Sequence, residues 1–436
     1  MPHFPLWAAI PVLIWDALKR WSLVIILNLI AAIIYVAVGY ASGLLIPVQT
    51  AHSGFFSLFS SNDSLQYHAV ADWIFGARDR PVAASAGRPY LYPLLLGAAE
   101  RIGDLRGIWL LNVLLWFTML NVAAAATYRF VKSTWAAAIV FLVLAADASL
   151  IVLTFKALTE ITTVALLAIC MYGLSHLTRQ ATPSQVAWTL LPVALLVVVK
   201  PQFELLLVVV AVALVVLIVK SPARGLAAVV FVVCLIPVAI QLASMEYFNG
   251  YFGLSTVGES TLRGYYLPRI EVALGQSTTI TEGRLRIAML SNAEAARFVL
   301  DHFGTAVNVF LTSLKENLLA GSGFVQNHPR LSDVIRATQA VFFVLQILLV
   351  PLAAAALWLK RDGKLALLGV AIVNVFIAGG FTFNQGDRIM IIALPLWLVA
   401  LVISFYEVGG VEMVRSRSMR FRSPPTGEPL SASPRR

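Results

Sequence analysis

Ten uninterrupted apolar stretches divide the chain, at about 22–46, 107–127, 135–155, 158–177, 184–199, 203–219, 225–242, 336–357, 365–381 and 389–406. They are long and continuous rather than alternating, which predicts helices and argues against a β-barrel. A helix crosses the hydrocarbon core with roughly 20 residues, within a range of about 17–25. The predicted fold is therefore all-α, a polytopic bundle of about ten transmembrane helices. The fifth and sixth stretches sit at or below the lower limit and are parted by Lys200-Pro201-Gln202, which predicts a tight hairpin of short helices.

The polar segments between them are unequal. Two are long, at 47–106 and 243–335, and the rest are short. Within the second, 292–319 shows helical amphipathic spacing, which predicts a helix on the membrane surface. Its aromatic residues near 247–266 fill a small loop core or stack on a ligand. Residues 1–21 carry Lys19 and Arg20 after their apolar run, the reverse of a cleaved leader, so an interfacial helix is expected there. The domain reading is thus 1–21 interfacial helix, 22–406 membrane domain and 407–436 basic disordered tail. Lys and Arg crowd the even-numbered short loops and the C-terminal tail, whereas Lys156, Lys200 and Arg388 stand singly in the short loops of the other side. By the positive-inside rule both termini are cytoplasmic and both long loops are external. With no organelle signal, a bacterial inner membrane is expected, with the working face towards the periplasm.

Composition sharpens the class. Of 436 residues, 59% are hydrophobic and 12% charged, against about 25% charged in soluble proteins. That excludes an ordinary cytosolic enzyme and a disordered chain. Two cysteines, Cys170 and Cys234, both inside apolar stretches, imply no disulfide framework. The net charge of +10 lies in membrane-proximal segments, so membrane lipids rather than nucleic acid are its expected partners.

The first long loop holds the most chemistry. Asn62-Asp63-Ser64-Leu65-Gln66-Tyr67-His68 opens a predicted helix on which Asp63, Tyr67 and Ala71 share a face. Asp63 reads as a helix cap or as a catalytic carboxylate. Gly87-Arg88-Pro89-Tyr90-Leu91-Tyr92-Pro93 predicts a rigid turn into a helix on the membrane. Glu160 opens the fourth stretch, and Asp147 lies inside the third, facing either a wet cavity or a hydrogen-bonding partner. Lys200 has Glu204 four residues on and Arg388 has Asp387 beside it, so each cation either binds an anion or is neutralised locally. Asn62-Asp63 brings one carboxylate, and His68 has no ligand-spaced partner, so neither a metal nor any other cofactor is expected.

Asp63-x-x-x-Tyr67-x-x-x-Ala71, then Arg88-x-x-x-Tyr92-Pro93-Leu94-Leu95-Leu96, resembles the GT-C superfamily of integral-membrane glycosyltransferases, nearest the protein mannosyltransferase and aminoarabinose transferase type. Leu158-Thr159-Glu160, Val199-Lys200-Pro201 and Gly386-Asp387-Arg388 follow in the same order, so the resemblance covers roughly residues 20–405. It implies a polyprenyl-phosphate-linked sugar as donor and a hydroxyl on a glycan, lipid or protein as acceptor. The sugar would move with inversion on the external face. Asp63 would be the general base, with Tyr67, Arg88, Tyr92, Glu160, Lys200 and Arg388 contacting substrate. The competing reading is a transporter or flippase of a lipid-linked sugar. No internal repeat supports it.

Overall fold

The computed structural model describes residues 6–41, 44–45, 62–81, 86–319, 349–359, 363–382 and 387–420. All regular structure among them is helical. In chain order these are α1 (Leu6–Ala41), α2 (Asn62–Ile74), α3 (Leu91–Val131), α4 (Thr134–Ala145), α5 (Ala148–Thr154), α6 (Glu160–His176), α7 (Pro183–Val199), α8 (Glu204–Val219), α9 (Arg224–Cys234) and α10 (Ile236–Asn249). Then come α11 (Val257–Thr261), α12 (Leu267–Ala273), α13 (Ile280–Ala288), α14 (Asn292–Asp301), α15 (Phe303–Leu319), α16 (Leu349–Leu359), α17 (Gly363–Phe381), α18 (Asp387–Met390) and α19 (Leu394–Arg420).

Six helical stretches are long and apolar enough to cross a membrane: Ser22–Ala41, Leu91–Val131, Pro201–Val219, Arg224–Asn249, Gly363–Phe381 and Arg388–Gly409. The chain is an integral membrane protein by this measure. Helix α8 shows what such a helix buries. Leu206, Val210, Leu214 and Ile218 lie on one face inside the bundle, while Val208, Val212, Val215 and Val219 are exposed on the other. An apolar stripe on the outside, at helical spacing, is a lipid-facing surface.

The expected third span is not one straight helix. It breaks into α4 and α5, bent by 59°. Asp147 sits at the break, buried, and its side chain accepts from the backbone N–H of Leu150. A carboxylate that caps a fresh helix start satisfies backbone donors that lipid cannot. Asp147 is thus a structural hydrogen-bonding group. The expected surface helix over 292–319 is also two helices, α14 and α15, parted at His302, whose backbone leaves the helical region. Residues 6–21 run into the first span as one continuous helix, with Pro11 in its second turn. At the other end α19 continues to Arg420, so 407–420 are helical rather than disordered; the remaining tail and most of 336–357 lie outside the described residues.

Local chemistry sets the helix ends. Thr182 and Gln185 form a capping box at α7, with Pro183 in its first turn. Lys132 closes α3 in the left-handed conformation, φ 55°, its N–H bonded to Tyr128 O at 2.7 Å. Helices α6 and α7 run antiparallel and touch at Gly173, where a Cβ would stand 2.1 Å from Trp188 O. Trp116, Met119, Phe141 and Phe155 are fully buried and form the centre of the bundle. A smaller core of Leu267, Ile270, Ile287, Ala306 and Val309 holds the second long loop together, with Tyr266 donating to Ala306 O at 2.7 Å.

Candidate functional site

Five ionised side chains from five separate segments meet at one end of the bundle. Asp63 comes from the first turn of α2, Arg88 from the turn before α3 and Glu160 from the first residue of α6. Lys200 ends α7 and Arg388 lies in α18. Antiparallel packing brings the start of α6 beside the end of α7, and three side-chain amides fix the turns that carry the charges. Asn112 donates to Thr154 O and Lys156 O, at 3.1 and 2.9 Å, ahead of Glu160. Asn374 donates to Gln202 O, just after Lys200. Asn249 donates to Ala86 O at 3.2 Å and to the Tyr90 hydroxyl at 3.1 Å, on either side of Arg88. Gly87 lets this turn approach closely, since a Cβ there would collide with Thr256 Oγ1 at 1.9 Å.

The ion pairs form a chain. Arg88 Nη2 lies 2.6 Å from Asp63 Oδ1, and Arg388 Nη1 lies 2.6 Å from Asp63 Oδ2. Arg388 Nε also reaches Glu160 Oε1 at 2.7 Å, and Lys200 Nζ reaches the same oxygen at 3.1 Å. Three cations face two carboxylates, leaving one positive charge in excess. Glu160 is 1% exposed, and its Oε2 has no hydrogen-bond partner among the described residues. An acceptor buried so deeply without a donor is rare, because it carries the full desolvation penalty. Burial alone would raise the Asp63 carboxyl; the charges of Arg388 and Arg88 and their hydrogen bonds outweigh it and hold it below the ordinary carboxylate range.

The tyrosines line the same place. The Arg88 guanidinium sits 5.1 Å from the centre of the Tyr67 ring, and its Nη1 lies 3.4 Å from the Tyr67 hydroxyl. Tyr67 packs edge-on against Tyr92 with ring centres 4.9 Å apart. The Tyr92 hydroxyl is buried and without a hydrogen-bond partner among the described residues, within reach of the charges of Glu160 and Arg388. All seven sequence-singled residues, Asp63, Tyr67, Arg88, Tyr92, Glu160, Lys200 and Arg388, therefore share one neighbourhood.

Several details differ from local expectation. Asp63 spends both carboxylate oxygens on guanidinium groups rather than on the backbone of α2. Lys200 pairs with Glu160, forty residues away, and not with Glu204. His68 lies 3.2 Å from Glu100, and among the described residues no three His, Cys, Asp or Glu side chains gather as a metal site. Gln66 was not singled out, yet its Oε1 accepts from Arg88 Nε at 2.7 Å. Its position three residues after Asp63, on the same helical face, is the signal that marks it. Lys156 meets the same lone-cation criterion as Lys200 and Arg388. It lies buried in the turn before α6, where burial pushes its amine down to about 8.

Comparison of the chain with protein-family models, with curated proteins and with solved structures gives no match.

Proposed function

We propose that the chain is a membrane glycosyltransferase of the GT-C kind, moving a sugar from a polyprenyl-phosphate donor to an acceptor hydroxyl. The observation that carries this reading is the cluster of two carboxylates and three cations at one end of an apolar bundle. Such a set answers both needs of the reaction. The acceptor hydroxyl must lose a proton as its oxygen bonds to the anomeric carbon, and a carboxylate can take it. The bond from that carbon to the phosphate oxygen breaks, and the polyprenyl phosphate leaves as an anion. Arginine and lysine stabilise that anion, so no general acid is required.

Asp63 is the general base in this reading. With both oxygens on guanidinium groups it is a poor one. A donor phosphate competes for Arg88 and Arg388, as two more oxygens of the same charge type. Drawing them away frees Asp63 and raises its basicity at the moment the donor is in place. Lys200 and Arg388 hold the phosphate, and Glu160 Oε2 accepts from a substrate hydroxyl. Reading the bent α4–α5 pair, α6, α7 and α16 as further crossings gives ten spans, with both termini cytoplasmic and the cluster on the periplasmic side of a bacterial inner membrane.

One observation favours a transporter instead. The bent α4–α5 pair resembles the broken helices that line transport sites. The charged groups, however, gather at the bundle end rather than at mid-depth, which supports transfer. A labelled polyprenyl-phosphate sugar in proteoliposomes separates the two, since transfer yields a glycosylated product and transport yields none. Asp63→Asn should lower turnover by about 10²–10⁴-fold, with protein insertion verified in parallel. Full activity in Asp63→Asn would overturn the mechanism.

A further inference from the structure

The opposite end of the same helices carries a second charged cluster, built differently. Arg129 and Lys132 end α3, His176 ends α6, and Lys364 lies in the first turn of α17. Lys364 Nζ lies 3.3 Å from Ser175 O and 6.0 Å from the Phe130 ring centre, which ties α17 to the ends of α6 and α3. Tyr172 stands between the others, its ring 4.6 Å from that of His176 and 6.0 Å from the Arg129 guanidinium. The charges of Arg129, Lys364 and Lys132 all act on the His176 ring.

Cations at helix C-termini are favoured by the helix dipole, which accounts for their presence. It does not account for two further facts. Arg129 Nε and His176 Nε2 are both buried and have no hydrogen-bond partner among the described residues. Arg129 and Lys132 also make no ion pair with any described carboxylate, in contrast to every cation of the first cluster. A buried guanidinium N–H, and an imidazole nitrogen when it carries its proton, set among like charges, are satisfied by an anion that brings acceptor oxygens.

The surroundings indicate where the anion comes from. Trp135, in the first turn of α4, is 82% exposed, and Trp188, in the second turn of α7, is 56% exposed. Trp188 packs edge-on against Tyr172 at 6.4 Å. Exposed tryptophans at the ends of apolar helices mark the level of lipid headgroups. We propose that Arg129, Lys132, His176 and Lys364 form a binding cleft for the phosphoryl group of an anionic membrane lipid. It is independent of the transfer reaction proposed above, and needs none of its residues.

The test uses the full chain in lipid nanodiscs of phosphatidylcholine, with or without phosphatidylglycerol. Native mass spectrometry counts retained lipid, and thermal unfolding measures protection. Wild-type protein should retain phosphatidylglycerol selectively. Lys132→Asn suits the left-handed backbone at that position, and should weaken retention roughly tenfold, the effect of losing one charge-assisted bond. Arg129→Gln should do the same, whereas Arg179→Gln, an exposed cation of the next loop, should not. Equal retention of both lipids, or equal loss in Arg179→Gln and Lys132→Asn, would overturn the proposal. Equal protection by inorganic phosphate in pure phosphatidylcholine would overturn the lipid assignment in favour of a free phosphate.

Discussion

Helices α6 and α7, with the part of α3 that follows its kink at Gly103–Asp104, join two charged ends that use their cations in opposite ways. At one end Arg88, Lys200 and Arg388 are locked onto Asp63 and Glu160 by contacts of 2.6–3.1 Å. At the other, Arg129 and Lys132 have no described carboxylate to hold them. The difference lies in where acids are placed. Asp63 occupies a helix first turn and Glu160 opens α6, where negative charge is favoured. None enters the last turns of α3 or α6. The same polarity that draws acids to one end draws cations to the other. The lesson is that a paired cluster is preorganised but must give up a contact before it can hold anything else, while an unpaired one is ready to bind but contributes little to the fold.

That contrast makes graded predictions. The largest effect should come from Arg388→Met, which removes the cation shared by Asp63 and Glu160. Breaking a buried pair by removing one partner costs about 3–5 kcal/mol, read as a fall in thermal or denaturant unfolding midpoint in detergent. Arg129→Met should cost much less, because no described carboxylate is left unpaired when it goes. Equal losses would erase the contrast between the ends.

Glu160→Gln is expected to cost less, on the order of 1–3 kcal/mol, because the amide keeps one acceptor but leaves Lys200 without its charge partner. The same unfolding assay checks it. A neutral result would mean that Lys200 finds another partner or discharges.

The smallest effect is one of pH. Asp63 titrates below its ordinary 3.8 in the folded chain, so its ion pairs stabilise fully above about that value and are lost as pH falls through the lower folded one. The unfolding midpoint of wild type should therefore drop below pH 4 more steeply than that of Asp63→Asn. Parallel acid limbs would show that Asp63 is not held by Arg88 and Arg388 in solution.

Much of this was legible in the residues. A lone charge beside an apolar stretch must find a partner or water, and that reasoning marks Glu160, Lys200 and Arg388 from the residues alone. Which partner each chose was not legible. Local spacing offers Glu204 to Lys200, but the antiparallel α6–α7 pair offers Glu160, and tertiary packing overrides the local choice. The break at Asp147 was also hidden, because the stretch on either side is uniformly apolar and periodicity alone draws one helix through it. Nothing in the local sequence marks Asn112, Asn249 and Asn374. They tether the turns that aim the charges.

Gly173 has a mechanical meaning beyond close packing. It lies near one end of the α6–α7 pair and Glu160 lies at the other, about 20 Å away at 1.5 Å per residue. The pair therefore behaves as a long-handled clamp whose hinge is a missing side chain. A methyl group at the hinge would meet Trp188 O and lever the jaws apart, where the Lys200–Glu160 contact of 3.1 Å has only a few tenths of an ångström of slack. The spacing of the ionised groups thus depends in part on an uncharged residue near the other end of the α6–α7 pair, and a larger side chain there would shift them with no change among the charges themselves.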